Sequence, residues 1–179
     1  MSNFQPPADF FDEPKGGGKL FPAGTYIGVL EEPASGWMAD FPDWKTPTVL
    51  FKLQLGDNTA VDGAEDPGAM KNFVDVVVAL DDYGFNEYFD GSAPDNVMGR
   101  LGYSLKLITR LAMAVGYIDA GDSYDPEEFL GELQKGTFEG SKVQYRTYHK
   151  ERKTRNDAGA LVSRDPPVFD VNTADFVGA

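Results

Sequence analysis

The run Lys142-Val143-Gln144-Tyr145-Arg146-Thr147-Tyr148-His149-Lys150-Glu151-Arg152-Lys153-Thr154-Arg155 sets six basic residues against one acid, Glu151. The chain up to Gly140 carries 24 Asp and Glu against 9 Lys and Arg. The run begins with alternation of period two, which is the pattern of a half-buried strand. Val143, Tyr145, Thr147 and His149 share one side; Lys142, Gln144, Arg146, Tyr148 and Lys150 share the other. If Val143 and Tyr145 face a core, the opposite face is cationic with one aromatic, Tyr148. From Lys150 the run becomes a polar loop that closes at Asn156-Asp157-Ala158-Gly159.

Upstream, a helix is predicted from about Val97 to Val115, where Leu101, Leu105, Ile108, Leu111, Ala112 and Val115 recur at helical spacing. Lys106 and Arg110 lie four apart on another side, and Gly116 is a natural stop. A second helical segment is expected at Pro126 to Leu133, with Asp125 as cap and Pro126 in the first position. Three strands precede them. Thr25 to Leu30 is the first, with Gly28 a bulge or bend, and Glu31-Glu32-Pro33 ends it. Thr48 to Leu55 is the second, with Val49, Phe51, Leu53 and Leu55 on one face and Lys52 and Gln54 on the other. Lys71 to Leu80 is the third, Val74, Val76, Val78 and Leu80 opposing Lys71, Phe73 and Asp75. Loops are expected at Ala34 to Thr46, which holds Trp37, Phe41 and Trp44, at the Gly- and Asp-rich Gly56 to Gly68, and at the acidic insertion Asp81 to Asn96. A fifth strand begins near Leu161, and Pro166-Pro167-Val168-Phe169 is an extended ending.

Strand, strand, strand, helix, strand, strand (β-β-β-α-β-β) is the element order of a five-stranded OB-fold barrel, a mainly β architecture with one intervening helix. That fold binds oligonucleotides or oligosaccharides over strands 2 and 3 and through the loops between strands 1–2 and 4–5. On this reading the aromatic loop with Trp37 and Trp44 and the basic loop from Lys150 occupy those two positions. A mixed sheet with the helix on one face is the alternative. The folded domain is expected over residues 20–170, between a flexible acidic-aromatic tail at 1–19 (Pro6-Pro7, Pro14, Gly16-Gly17-Gly18, Phe4, Phe10, Phe11) and a C-terminal tail at 171–179.

Composition bounds the chemistry. The absence of cysteine excludes disulfides, thiolate metal sites and a cysteine nucleophile. With His149 the single histidine, a histidine metal cluster or a Ser-His-Asp triad has little to work with. The Asp57 to Gly63 segment lacks a calcium-loop layout, and there is no P-loop or GxGxxG element. No enzymatic activity, cofactor or metal is expected. Val76 to Leu80 is among the longest apolar runs, far short of a membrane span, and a soluble intracellular protein is expected. The net charge of −13 opposes nucleic-acid binding at long range. Screening at about 8 Å in physiological salt nevertheless leaves a local basic surface its own field.

A sequence-tolerant single-strand binder needs aromatic faces for bases and cations for the backbone. Trp37, Trp44, Phe73 and Tyr148 are the candidate stacking residues, and Lys52, Arg146, Lys150, Arg152, Lys153 and Arg155 the candidate phosphate contacts. Each has a structural counterpart: the tryptophans can close a barrel end, and Phe73 can pack under the helix if the faces are reversed. Two other functions compete. One is a viral assembly protein that uses the barrel for protein contacts. The other is an oligosaccharide-binding module with Trp37 and Trp44 against sugar faces, which has little use for six cations.

The opening Phe21-Pro22-Ala23-Gly24-Thr25-Tyr26 resembles the "PAG-x-Y" start of a family of bacteriophage proteins, long catalogued as a domain of unknown function. The approach to the basic strand, Phe138-Glu139-Gly140-Ser141-Lys142-Val143, continues the likeness across roughly residues 20–170. The resemblance implies an OB fold, single-stranded DNA as ligand and a role in phage replication or recombination. The longer aromatic loop and the acidic insertion depart from the family pattern. An acidic C-terminal tail that recruits replication proteins is faintly echoed in Asp170, Asp175 and Phe176, so such proteins are expected partners of the acidic tails.

Overall fold

The computed structural model describes residues 19–39, 48–79 and 95–179. The N-terminal tail, Phe41, Trp44 and the acidic insertion up to residue 94 lie outside the described residues. In chain order the elements are β1 (Gly24–Ala39), β2 (Thr48–Val61), β3 (Asn72–Ala79), α1 (Asp95–Ala114), α2 (Pro126–Gln134), β4 (Lys142–Arg155) and β5 (Leu161–Gly178). The strands form one five-stranded sheet in the order β3-β2-β1-β4-β5, antiparallel at every pairing. Among the described residues no parallel pairing of a mixed sheet occurs. Among the described residues no ladder joins β3 to β5, and the sheet is open between them.

The inward faces follow the period-two pattern. Tyr26 and Leu30 of β1, Leu53 and Leu55 of β2, Val74 and Val76 of β3, and Val143 and Tyr145 of β4 are all buried. Helix α1 covers them with Leu107, Ile108, Leu111 and Ala112, and α2 adds Phe129, Leu130 and Leu133. Complete burial of such a side chain contributes about 1.5–3 kcal/mol, so this core dominates stability. The α2 N-terminus has the expected cap: Asp125 Oδ1 accepts from Glu127 N at 2.9 Å, and Pro126 needs no partner there.

Gly28 marks an irregularity in the β1–β2 ladder, where the register jumps from Ile27 opposite Thr59 to Val29 opposite Gly56. The extra residue belongs to β2, and Asp57 takes a left-handed φ of 44° to accommodate it. Asn58 is thereby turned inward. Its Nδ2 donates to the Leu55 carbonyl at 2.7 Å, and its Oδ1 accepts from the buried Tyr145 hydroxyl at 2.5 Å. A Cβ on Gly28 would stand 2.3 Å from Asn58 Oδ1 and 3.0 Å from the Tyr145 ring. Glycine is required here by close approach.

Four expected boundaries are corrected. Strand β1 does not end at Pro33; a register shift between Glu31 and Ala34 absorbs the proline, and the strand runs on with Trp37 opposite Leu50. Strand β2 continues through the polar segment after Leu55, because the bulge at Asp57 keeps it in register with β1 as far as Val61. Strand β4 continues to Arg155, and the 4–5 connection shrinks to a turn at 156–160, where Asn156 Oδ1 accepts from Ala158 N at 3.1 Å and Ala160 N at 3.0 Å. Finally, residues 171–178 belong to β5, with Thr173 and Phe176 each 2% exposed, and do not form a tail. Phe176 packs against Tyr145 with ring centroids 6.0 Å apart. A buried aromatic and pairing with β4 on both sides of Asp175 hold this segment in the sheet.

Helix α1 packs on both β3 and β5 and so lies across the open side of the sheet. Two side chains bind that seam at Thr173. Asn72 Nδ2 of β3 donates to Thr173 Oγ1 at 2.9 Å. The Tyr103 hydroxyl of α1 donates to the Thr173 carbonyl at 2.7 Å and accepts from its N–H at 3.1 Å. A helix tyrosine thus satisfies the backbone of the edge strand at this point, as a neighbouring strand would.

Candidate nucleic-acid interface

On β4, Val143, Tyr145 and Thr147 are buried and Arg146 and Lys150 are exposed, with Tyr148 between. The inner face is anchored to the start of the fold. Thr147 Oγ1 donates to the Pro22 carbonyl at 2.7 Å, and His149 Nε2 lies 2.8 Å from the Phe21 carbonyl. His149 therefore has a structural role. On the outer face the Arg146 guanidinium lies 5.7 Å from the centroid of the Tyr148 ring, a cation–π arrangement that presents an aromatic and a cation together.

Phe73 of β3 is 50% exposed and points away from the core, so it does not pack beneath α1. Lys52 Nζ is 6.0 Å from its ring centroid and 3.7 Å from Asp75. Across the open side of the sheet, Phe73 and Asp75 face Arg152, Asp170 and Asn172 over a cleft of about 390 Å³, with Tyr103 also in its lining. That volume is within the range of small-ligand sites, roughly 300–1,000 Å³. Beyond Tyr103 lies a smaller cavity of about 140 Å³, bounded by Lys106 and Arg110 of α1, Tyr148 of β4, and Asp175 of β5. Cleft and cavity share Tyr103 and follow successive residues of the β5 edge, so together they form one track.

Carboxylates partner several of the cations. Arg152 grips Asp170 through both Nε and Nη2. Arg146 Nε is 3.0 Å from Asp175, and Arg110 is 4.0 Å from the same carboxylate. The hydrogen bonds from Arg152, with its charge, hold the Asp170 carboxyl below its usual range, against the opposing effect of burial. These pairs are solvent-exposed, and such pairs contribute about 0–1 kcal/mol. Exchanging a carboxylate for a phosphate oxygen is therefore close to neutral in free energy. Among the described residues, Lys150 and Lys153 form no ion pair.

The expected site residues divide by position. Phe73 and Arg152 line the cleft with Lys52 close to the Phe73 ring, and Tyr148 lines the smaller cavity with Arg146 beside it. Lys150, Lys153 and Arg155 stand on the outer part of β4, a strand and not a loop, along an exposed two-stranded arm. Arg155 Nη1 donates to the Gly159 carbonyl at 2.7 Å and so helps close the turn. Trp37 is a strand residue whose partner Leu50 is itself opposite Val77, so it lies beyond the cleft-lining part of β3 and two strands inward from it. Trp44 lies outside the described residues. Tyr103 and Asn172 also line the cleft, and Lys106 and Arg110 the cavity; no local pattern marks these residues, because β5 passes alongside them only in the folded chain. Among the described residues no three His, Asp or Glu side chains gather as a metal site. No helix among them is long and apolar enough to cross a membrane. No protein-family profile, curated protein or solved structure matches the chain.

Proposed function

We propose that this protein is a non-catalytic single-stranded DNA-binding protein, serving replication or recombination in a bacteriophage. The observation that carries the reading is the cleft between β3 and β5, where an exposed aromatic face, Phe73, stands opposite the cation Arg152 and beside Lys52. Bases stack on Phe73 and Tyr148, while Arg146, Lys150, Arg152 and Lys153 receive phosphates in exchange for carboxylates or water. The sheet is taken as an OB-type barrel left open along one seam. Supporting this, the seam is bridged by Asn72 and Thr173 and spanned by α1, so closure needs only the β3–β5 ladder. The phage assignment rests on the resemblance of the Phe21–Tyr26 opening. With Asp170, Asp175 and Phe176 placed in β5, partner recruitment falls to the acidic-aromatic N-terminal segment.

The test is fluorescence anisotropy of labelled oligo-dT at several salt concentrations. Three or four phosphate contacts give a log–log slope of about −2 to −3. Failure to bind at low salt, by a protein whose fold is intact, refutes the reading. A second reading, assembly through protein contacts, is favoured by the exposed apolar residues Leu161 (60%) and Phe169 (44%) on the β4–β5 arm. Sedimentation showing an oligomer that Leu161→Ser dissolves would support it.

A further inference from the structure

The smaller cavity gathers basic side chains of α1 against the β5 edge. Lys106 and Arg110 stand one helical turn apart on α1 and face it together. Arg146 approaches from β4, pairing with the same carboxylate that Arg110 approaches. That carboxylate is Asp175, the one acid in the lining. Its placement follows from the backbone. The β4–β5 register jumps between Gln144 and Arg146, and in that irregularity Asp175 takes a φ of 58°, a left-handed conformation that costs most non-glycine residues free energy. The conformation carries the Asp175 side chain to 3.0 Å from one guanidinium group and 4.0 Å from another. An internal anion therefore stands between two guanidinium groups at the wall of a cavity that Lys106 also lines. At about 140 Å³ the cavity is too small for a drug-sized ligand and large enough for a phosphate group.

We propose that this cavity is a phosphate subsite, bordered in the free protein by the Asp175 carboxylate, whose place on Arg110 and Arg146 a ligand phosphate takes. Tyr103 and Tyr148 wall the site, and the Tyr103 hydroxyl is committed to Thr173, so recognition falls to Lys106, Arg110 and Arg146. The source of the phosphate rests on the single-strand reading: a strand seated in the neighbouring cleft extends one of its phosphates past Tyr103. Free orthophosphate shares the chemistry, and the experiment separates the two.

Asp175→Asn and Asp175→Gly are compared with the native chain for binding of labelled oligo-dT at several salt concentrations and of inorganic phosphate by amide resonance shifts at Lys106 and Arg110. Asn keeps the side chain's shape and Gly relieves the backbone, and thermal unfolding verifies both folds. Each variant is expected to bind oligo-dT about tenfold more tightly at low salt, the scale of one like-charge repulsion removed. The salt slope should steepen by about 0.7 for each additional phosphate neutralised. In the background of Lys106→Ala with Arg110→Gln, the tighter binding should vanish. Oligo-dT binding that is native-like in Asp175→Asn, Asp175→Gly and the α1 double variant overturns the subsite and leaves the cleft reading standing. If oligo-dT does not bind but inorganic phosphate shifts the α1 resonances, more strongly in Asp175→Asn, the subsite stands and the single-strand reading falls. If neither ligand binds, both fall.

Discussion

Replacing Phe73 by Ala separates binding from folding, because the exposure of this ring is 50% and its neighbours on β3 face the core. Full burial of a phenylalanine contributes about 1.5–3 kcal/mol, so a half-exposed ring contributes roughly 1 kcal/mol to stability. Its register partner Gln54 and the cation Lys52 no longer meet a ring, and the interior residues Val74 and Val76 keep their packing. Stacking of a base on an aromatic side chain is worth about 1–3 kcal/mol, a factor of roughly 5 to 150 in affinity. The variant should therefore unfold at slightly lower urea and bind oligo-dT far more weakly, with its salt slope unchanged, since no cation has been removed. Phe73→Trp should restore the affinity and supply a fluorophore quenched by the bound strand. The assay is anisotropy titration of labelled oligo-dT beside urea unfolding of the same preparations. Affinity within about twofold of the native value for Phe73→Ala, with the fold intact, would remove Phe73 from the interface and with it the cleft as the base-binding surface.

Changing Arg152, Lys153 and Arg155 together to Ala should flatten the log–log salt slope by about 1.4, near 0.7 for each of the phosphates at Arg152 and Lys153, since Arg155 is committed to the Gly159 carbonyl; an unchanged slope moves the site off the β4–β5 arm. Asn58→Ala leaves the Tyr145 hydroxyl and the Leu55 carbonyl without this buried partner, at a cost of about 1–3 kcal/mol for each group left unsatisfied. Urea unfolding should show it, with oligo-dT affinity kept at concentrations where the variant is folded. Burial pushes up the phenols of Tyr26, Tyr103, Tyr124 and Tyr145. Groups whose folded values are raised contribute stability that is fully present below the unfolded value, about pH 10, and lost as pH rises toward the folded one. Thermal unfolding should therefore fall off above about pH 10, and Tyr145→Phe should lessen the fall. Asp170 behaves in the opposite sense: its carboxyl is held low, so its contribution is present above the ordinary carboxylate range and is lost as acid titrates it. Asp170→Asn should remove a small acid-side component of the unfolding profile, small because the pair is exposed.

Periodicity made the inward and outward faces legible, because alternation is a property of neighbouring residues. Val143 and Tyr145 against Arg146, Val74 and Val76 against Phe73, and Ile108, Leu111 and Ala112 on α1 all lie as their spacing indicates. The ends of elements were less legible. Gly56 to Val61 reads as a loop from its glycine, aspartate and asparagine, yet β1 supplies partners for that backbone and the bulge at Asp57 lets the ladder continue. Residues 171–179 read as a tail with an acidic echo in Asp170, Asp175 and Phe176, whereas Phe176 is held by the distant Tyr145.

Local spacing and composition dictate which side of each strand and helix is apolar, where the positive charge is concentrated, and the order of elements. What that charge meets depends on the folded arrangement. It set Arg152 against Asp170 and Arg146 against Asp175, brought Phe73 across from Arg152, and placed Tyr103 of a helix on the backbone of β5. The physical reason is the register of an antiparallel sheet and the bulges that shift it. They bring together residues as far apart in the chain as Thr25 and Arg146, and a shift of one residue moves each side chain to the other face.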